Sequence, residues 1–210
     1  MSVTSTSSRK LTVENEPFRH VVTQWVQPEI VRAADVAFPD LQWSHWHRYS
    51  TVDAMKYASK DSLRLPPACS LAIEDMSRFP IGDVFGVSDC FPDLELHAAG
   101  MHCIPQGGYL GEHVDAQRHP IHPWARRFSA VLFLNSGEGG RLKMGDKTVR
   151  WEAGSMVVFE CSDCSRHEVE TVPVKGPARK TLSLFWWSVS ESTSESARSV
   201  FSREQNLDPP

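Results

Sequence analysis

The pattern of apolar positions changes near residue 94. Before that point apolar residues recur at helical spacing or without period, and after it they fall in short runs separated by turn-forming residues. Residues 1–16 are polar and offer little to a core, which predicts a disordered leader. Pro28-Glu29 predicts a helix start, because proline at the first helical position gives up no hydrogen bond. Ile30, Ala34, Ala37 and Phe38 continue at helical spacing until Pro39. A second helix is expected from Pro66-Pro67, with Cys69, Ala72, Ile73 and Met76 on one face. Between the two, Asp40 to Lys60 carries Trp43, His45, Trp46, His47 and Tyr49 without a clear period. That segment reads as a packing layer in preference to a loop over a site.

Beyond Leu94 the expected elements are strands: 96–104, 109–115, 128–134, 141–144, 148–151, 155–160, 167–172 and 181–189. Pro105-Gln106-Gly107-Gly108, the run 135–140 and Gly145-Asp146 supply the turns. About eight short strands behind a helical first third predict a mainly β fold, a double-sheet jelly roll with helices packed outside. The reading is one domain over 17–195, helical support at 17–93 and the β core at 94–190, with 196–210 as a tail. No repeat or linker divides it.

Bulk properties narrow the function. The 210 residues carry a net charge of −4, without the basic excess that a phosphate backbone demands, so nucleic acid is not expected as a partner. No run approaches 18 apolar residues, so no membrane span is expected, and the first ten residues lack the apolar stretch of a signal peptide. Cys69, Cys90, Cys103, Cys161 and Cys164 are odd in number and scattered, which predicts free thiols and a cytoplasmic setting. Oligomeric state has no readable signal.

The chemistry concentrates in Glu112-His113-Val114-Asp115. On a strand, residues i and i+2 point to one face, so the His113 imidazole and the Asp115 carboxylate converge. His167 opens a strand 52 residues later and can complete a set of two histidines and one carboxylate. That set leaves open positions on iron for a bidentate cosubstrate and dioxygen. Arg179 follows at the start of the last strand, and its fork suits a planar carboxylate.

Met101 to Asp115 reads M-H-C-I-P-Q-G-G-Y-L-G-E-H-V-D, after which come Arg126-Arg127-Phe128 to Leu134-Asn135 and Gly139-Gly140-Arg141-Leu142. Phe159 then precedes His167-Glu168-Val169, and Arg179-Lys180-Thr181-Leu182-Ser183-Leu184-Phe185 closes the series. Together these blocks resemble the iron(II)/2-oxoglutarate-dependent oxygenases of the prolyl-4-hydroxylase-like group. The resemblance implies a double-stranded β-helix with Fe(II) on His113, Asp115 and His167. It implies 2-oxoglutarate as cosubstrate, its distal carboxylate on Arg179 with Ser183 in support, and O2 as the oxidant. Ascorbate is the reductant such enzymes take. The group's tyrosine hydroxyl near that carboxylate falls at Phe133 or Ile104 here, neither of which donates, so either Tyr109 or His102 substitutes for it or no group does. Retention of Asp115 favours hydroxylation over halogenation.

The implied activity is hydroxylation of an unactivated C–H bond, with release of succinate and CO2. A small molecule or amino acid is the expected substrate, and a peptidyl proline is the alternative. A cupin-like barrel that binds metal or ligand without catalysis is the rival class. His102, His119, His122 and Arg127 are candidate substrate contacts, against readings as core histidine, surface loop and solvated charge. Cys161-x-x-Cys164-x-x-His167 has the spacing of a zinc site, against a reading as plain thiols.

Overall fold

The computed structural model describes residues 11–60, 64–190 and 198–202. Among the described residues three helices accompany thirteen strands. They are α1 (Pro28–Ala37), α2 (Pro67–Ser77) and α3 (Ile81–Phe85). The first four strands are β1 (His20–Thr23), β2 (Trp46–Ser50), β3 (Ala54–Ser59) and β4 (Cys90–Pro92). Next come β5 (Gly100–Ile104), β6 (Tyr109–Val114), β7 (Ala125–Phe133), β8 (Leu142–Met144) and β9 (Lys147–Val149). The last are β10 (Met156–Glu160), β11 (His167–Val169), β12 (Arg179–Ser188) and β13 (Val200–Phe201). Among the described residues no helix is long and apolar enough to cross a membrane.

Two of the three helices form where the sequence placed them, and α3 was not foreseen. Proline opens both α1 and α2. On α2 the buried residues are the expected Cys69, Ala72, Ile73 and Met76. On α1 the buried face is Val31, Ala34 and, just past the helix, Phe38, with Ile30 half-buried against the same core and Ala37 turned to solvent. The short α3 ends at Gly86, whose φ of 68° turns the chain left-handed and lets its N–H close on the Gly82 carbonyl.

All the strands belong to one strongly curled antiparallel sheet, ordered β1-β10-β7-β12-β5-β3-β6-β11-β8-β9. This is the expected double-stranded β-helix arrangement. Alternation along β7, β10 and β12 sorts residues onto two faces. Leu132, Met156, Val158, Leu182 and Leu184 meet α2 and α3 in the larger core, which also takes Met76, Ile81 and Phe85. Ile104, Phe133, Leu142, Val157 and Phe159 face the interior and form a second apolar cluster. Helices therefore brace one side of the sheet while the other encloses a cavity.

Besides β1 and β4, which put strands at both ends of the stretch expected as helical support, two segments differ from expectation. The 40–60 stretch is a hairpin, β2 against β3, and β3 bridges β5 and β6. Trp46 does fill the core, with 6 % exposure, but other hairpin residues line the cavity. Of the leader, residues 1–10 lie outside the described residues. Leu11 and Val13 pack against the larger core, and Glu14 pairs with His20 and with Lys147. Of the tail, 196–197 and 203–210 lie outside the described residues, whereas β13 adds to the edge of β6.

Leu132 is fully buried in the larger core. Its replacement by alanine leaves a cavity between β7 and the helices and is expected to cost about 2–5 kcal/mol, read as a lower urea midpoint with an unchanged slope.

Candidate metal centre and cosubstrate cavity

His113 on β6 and His167 on β11 are direct cross-strand partners, with ring centroids 4.3 Å apart. Asp115 follows the last residue of β6. His113 Nε2 lies 3.5 Å and His167 Nε2 3.8 Å from Asp115 Oδ1. The three ligand atoms fall within 4.8 Å of one another.

The remaining polar atoms of these side chains are already engaged. His113 Nδ1 is 2.9 Å from the Gly111 carbonyl, and His167 Nδ1 is 2.9 Å from that of Ser165. A carbonyl only accepts, so each ring carries its proton on Nδ1 and turns the Nε2 lone pair inward. The Ser129 hydroxyl donates to Asp115 Oδ2 at 2.7 Å, and Arg126 Nη1 stands 3.6 Å from the same oxygen. Oδ1 is thereby left for the shared point. Three oriented donors, each with its second atom fixed by a backbone or side-chain partner, fit a divalent transition metal of the two-histidine, one-carboxylate kind.

Electrostatics keep the donors in ligand form. Burial opposes ionisation of Asp115, but His113, His167 and Arg126 outweigh it and hold its carboxyl well below the usual range. Burial, with the neighbouring His113, pushes His167 down to about 4, so it is neutral at physiological pH.

These groups open onto a cavity of about 840 Å³. Arg179, Thr181, Ser183 and Phe185 alternate inward along β12 and line one wall, as the period of two predicts. Arg179 is 3 % exposed, and its guanidinium lies 4.8 Å from the Phe133 ring centre. Its Nε has no hydrogen-bond partner, and among the described residues no carboxylate pairs with it. Burial lowers its pKa to about 9, which still leaves it charged at neutral pH. An unpaired buried cation is costly, and a ligand carboxylate relieves that cost.

His102 also lines the cavity. Burial and the nearby Lys56 push it down to about 3, and a hydrogen bond to the Ala98 backbone opposes the shift. Its Nε2 has no partner. The ring is neutral and its buried Nε2 is left to a ligand, as acceptor or donor according to the tautomer.

Four of the expected contacts lie elsewhere. Tyr109 is outside the cavity, and its hydroxyl donates to the carbonyls of Thr51 and Val52. The cause is a bulge. His113 pairs with His167 but Leu110 pairs with Val169, so β6 holds one extra residue and its alternation inverts. Leu110 faces inward in place of Tyr109. Arg127 is turned out towards Glu160, 3.7 Å away, for a similar reason. The β7–β12 register skips from Phe128 to Arg126, which directs Arg126 inward instead. Arg126 lies 3.5 Å over the Phe185 ring.

His119 and His122 flank the cavity without lining it. His119 is 2 % exposed, and its Nδ1 accepts from the N–H groups of Ile121 and His122. His122 stacks on Trp124 at 4.1 Å between ring centres. Asp93, His97 and His119 also bring ligand atoms together. There His119 must carry its proton on Nε2, facing His97 Nδ1 at 3.3 Å, so this cluster is a hydrogen-bonded brace for the 116–124 loop. Cys161 and Cys164 do not converge with His167. Cys161 Sγ contacts the Ser129 hydroxyl at 3.2 Å, and all five thiols are unpaired.

Lys56, Ser129 and Phe201 carry no motif and were not singled out by the sequence. Lys56 enters from β3, with its ammonium 5.3 Å from the Tyr49 ring centre. Phe201 on β13 lies 5.3 Å from the His113 ring centre. The one available signal was the Ala54-Met55-Lys56-Tyr57-Ala58 alternation, hidden within an aromatic segment.

Residues 99–187 match the family model of the 2OG-Fe(II) oxygenase superfamily. No curated protein sequence matches the chain at a significant level. Among solved structures, a Pseudomonas putida prolyl-4-hydroxylase is similar at a TM-score of 0.57 and 21 % identity, covering 82 % of this chain and 93 % of its own. The viral collagen prolyl hydroxylase of Paramecium Bursaria Chlorella virus-1, as its 2OG complex, gives 0.56 and 10 %, with 81 % and 96 % covered. HygX from Streptomyces hygroscopicus, with nickel and 2-oxoglutarate bound, gives 0.51 and 12 %, with 85 % and 88 % covered. At these identities the likeness speaks for the fold, while the family match speaks for the chemistry, implying Fe(II), 2-oxoglutarate and O2. Residues 99–187 thus resemble a 2OG-Fe(II) oxygenase superfamily domain, carried on a fold similar to that of the prolyl-4-hydroxylases.

Proposed function

We propose that this protein hydroxylates an unactivated C–H bond of a small molecule or amino acid, with His113, Asp115 and His167 holding Fe(II) and Arg179 anchoring 2-oxoglutarate. The observation that carries the reading is the pairing of three convergent ligand atoms with an unpaired, buried guanidinium across one cavity. A barrel that merely bound a metal would gain nothing from burying Arg179.

When bound, the metal and cosubstrate supply the oxidising power, consuming O2 and releasing succinate and CO2. The protein's own groups position and protect. His113 and His167 present lone pairs fixed by backbone carbonyls, and Ser129 and Arg126 hold one Asp115 oxygen so that the other stays aimed. Arg179 fixes the far carboxylate of the cosubstrate, with Ser183 on the same wall in support. Apolar Phe159, Leu110, Val131 and Phe185 keep water from the reacting face. Ascorbate serves as external reductant, and the five unpaired thiols fit a reducing compartment.

The cavity supports a small substrate over a protein chain. Its volume of about 840 Å³ suits a metabolite and its cosubstrate, and β13 and the β2–β3 hairpin cover its approaches.

Changing His113 or Asp115 to alanine is expected to abolish 2-oxoglutarate-dependent succinate release, with folding confirmed by circular dichroism. Retained turnover in either variant rules the ligand assignment out. Arg179→Met should weaken 2-oxoglutarate binding by about 10- to 100-fold, as expected for a lost charge-assisted pair, measured anaerobically with Mn(II). Tyr109→Phe should stay within about twofold of the parent in the same titration, since its hydroxyl bonds backbone carbonyls outside the cavity. Ser129→Ala removes the donor to Asp115 Oδ2 and is expected to lower Mn(II) affinity about 10- to 100-fold, read by equilibrium dialysis.

A further inference from the structure

The cavity holds more positive charge than the reading above consumes. Its walls carry Lys56, Lys60, Arg118, Arg126, Arg179 and Arg198 against the carboxylates of Asp53 and Asp115. The chain as a whole has the opposite balance, with 26 acidic and 22 basic residues. A concave wall of one sign concentrates ligands of the other. Several of these cations have partners: Arg126 faces Asp115 at 3.6 Å, and Lys60 reaches the Ser44 carbonyl at 3.4 Å.

Lys56 is not so compensated. Among the described residues it forms no salt bridge, and its ammonium lies against the Tyr49 ring. Burial is the main reason its pKa falls to about 8, with Asp115 opposing and Arg179 assisting the fall. The strand register explains its place. β5 pairs Cys103 with Tyr57 and His102 with Ala58 on one side, and Ile104 with Arg179 and His102 with Thr181 on the other. Continued by one residue, this puts Arg179, Ile104 and Lys56 in one row across three neighbouring strands. The two cations are then rooted two strand spacings apart, roughly 10 Å. The adjacent row is Thr181, His102 and Ala58, so the unpartnered His102 Nε2 stands beside Lys56 on the same face.

2-Oxoglutarate brings two carboxylates, and the proposed function uses one at the metal and the other on Arg179. No third remains for Lys56. We infer that the substrate is a small carboxylic acid, its carboxylate held by Lys56 and a neighbouring polar group by His102 Nε2. This inference rests on the proposed oxygenase reading and specifies its substrate class. With Arg179 given to the cosubstrate, the single ammonium left in this row matches one carboxylate. A residue inside a polypeptide has no free α-carboxylate, so the subsite favours free acids over peptidyl proline.

The test uses the full chain, loaded anaerobically with Mn(II) and saturating 2-oxoglutarate, and two probes of equal shape, butanoate and butyramide. Mn(II) speeds the relaxation of nearby ligand protons, so the readout is binding close to the metal and not turnover. Butanoate is expected to bind with relaxation enhancement, and butyramide at least tenfold more weakly. In Lys56→Met, butanoate affinity should fall at least tenfold while 2-oxoglutarate affinity stays within about twofold; Lys56→Arg should recover much of the loss. Equal binding of the two probes by the parent protein overturns the inference even where Lys56→Met fails to fold. So does butanoate binding that survives Lys56→Met, or a tenfold loss of 2-oxoglutarate affinity in that variant, which would assign Lys56 to the cosubstrate. A parent protein that binds Mn(II) but not 2-oxoglutarate would instead sink the oxygenase reading itself, a separate result.

Discussion

Everything at this site depends on how one carboxylate divides its two oxygens. Asp115 is half-buried, where ionisation is costly, and it remains charged because cations and donors surround it. Ser129 and Arg126 take Oδ2, which leaves Oδ1 between two imidazoles. The imidazoles are in turn fixed by backbone carbonyls, so no ligand must reorganise when a cation arrives. The arrangement is rigid because its outer partners belong to the strands themselves: Ser129 on β7, the Gly111 carbonyl on β6, the Ser165 carbonyl just before β11.

The two faces of the sheet divide the labour. The face against α2 and α3 is closed by fully buried aliphatic and aromatic residues and supplies most of the stability. The inner face gives up part of its apolar surface to charge: Arg179, Arg126, Lys56 and Asp115 all open on the same cavity. Such groups weaken a fold until ligands pair them. A protein built in this way is expected to gain stability by mass action when metal and cosubstrate bind.

Much of this was legible before any coordinates. Proline positions and helical spacing located α1 and α2, and turn residues bounded most of the strands after residue 94. The i, i+2 rule brought His113 and Asp115 together and set Arg179, Thr181, Ser183 and Phe185 on one wall. What could not be read depends on long-range pairing. The β2–β3 hairpin lay hidden because its aromatic residues serve both core and cavity, and Lys56 was hidden with it. Ser129 and Phe201 owe their roles to neighbours 14 and 88 residues away in sequence (Asp115 and His113), which no local pattern announces. Tyr109 and Arg127 lie off the cavity for one shared reason: each strand contains an extra residue, and a period of two loses its phase at such a point.

Those two irregularities carry an evolutionary lesson. A bulge works like a shim: it lets a strand keep its hydrogen-bonded neighbours while exchanging which side chains address the interior. On β6 it leaves an aromatic at position 109 free to staple the hairpin from outside, while the motif histidine four places on keeps its post. Lineages that share the motif letters but differ by a single insertion or deletion in this strand would thus present different residues to the cosubstrate. Roles copied by alignment from one such enzyme to another should be checked against strand phase first.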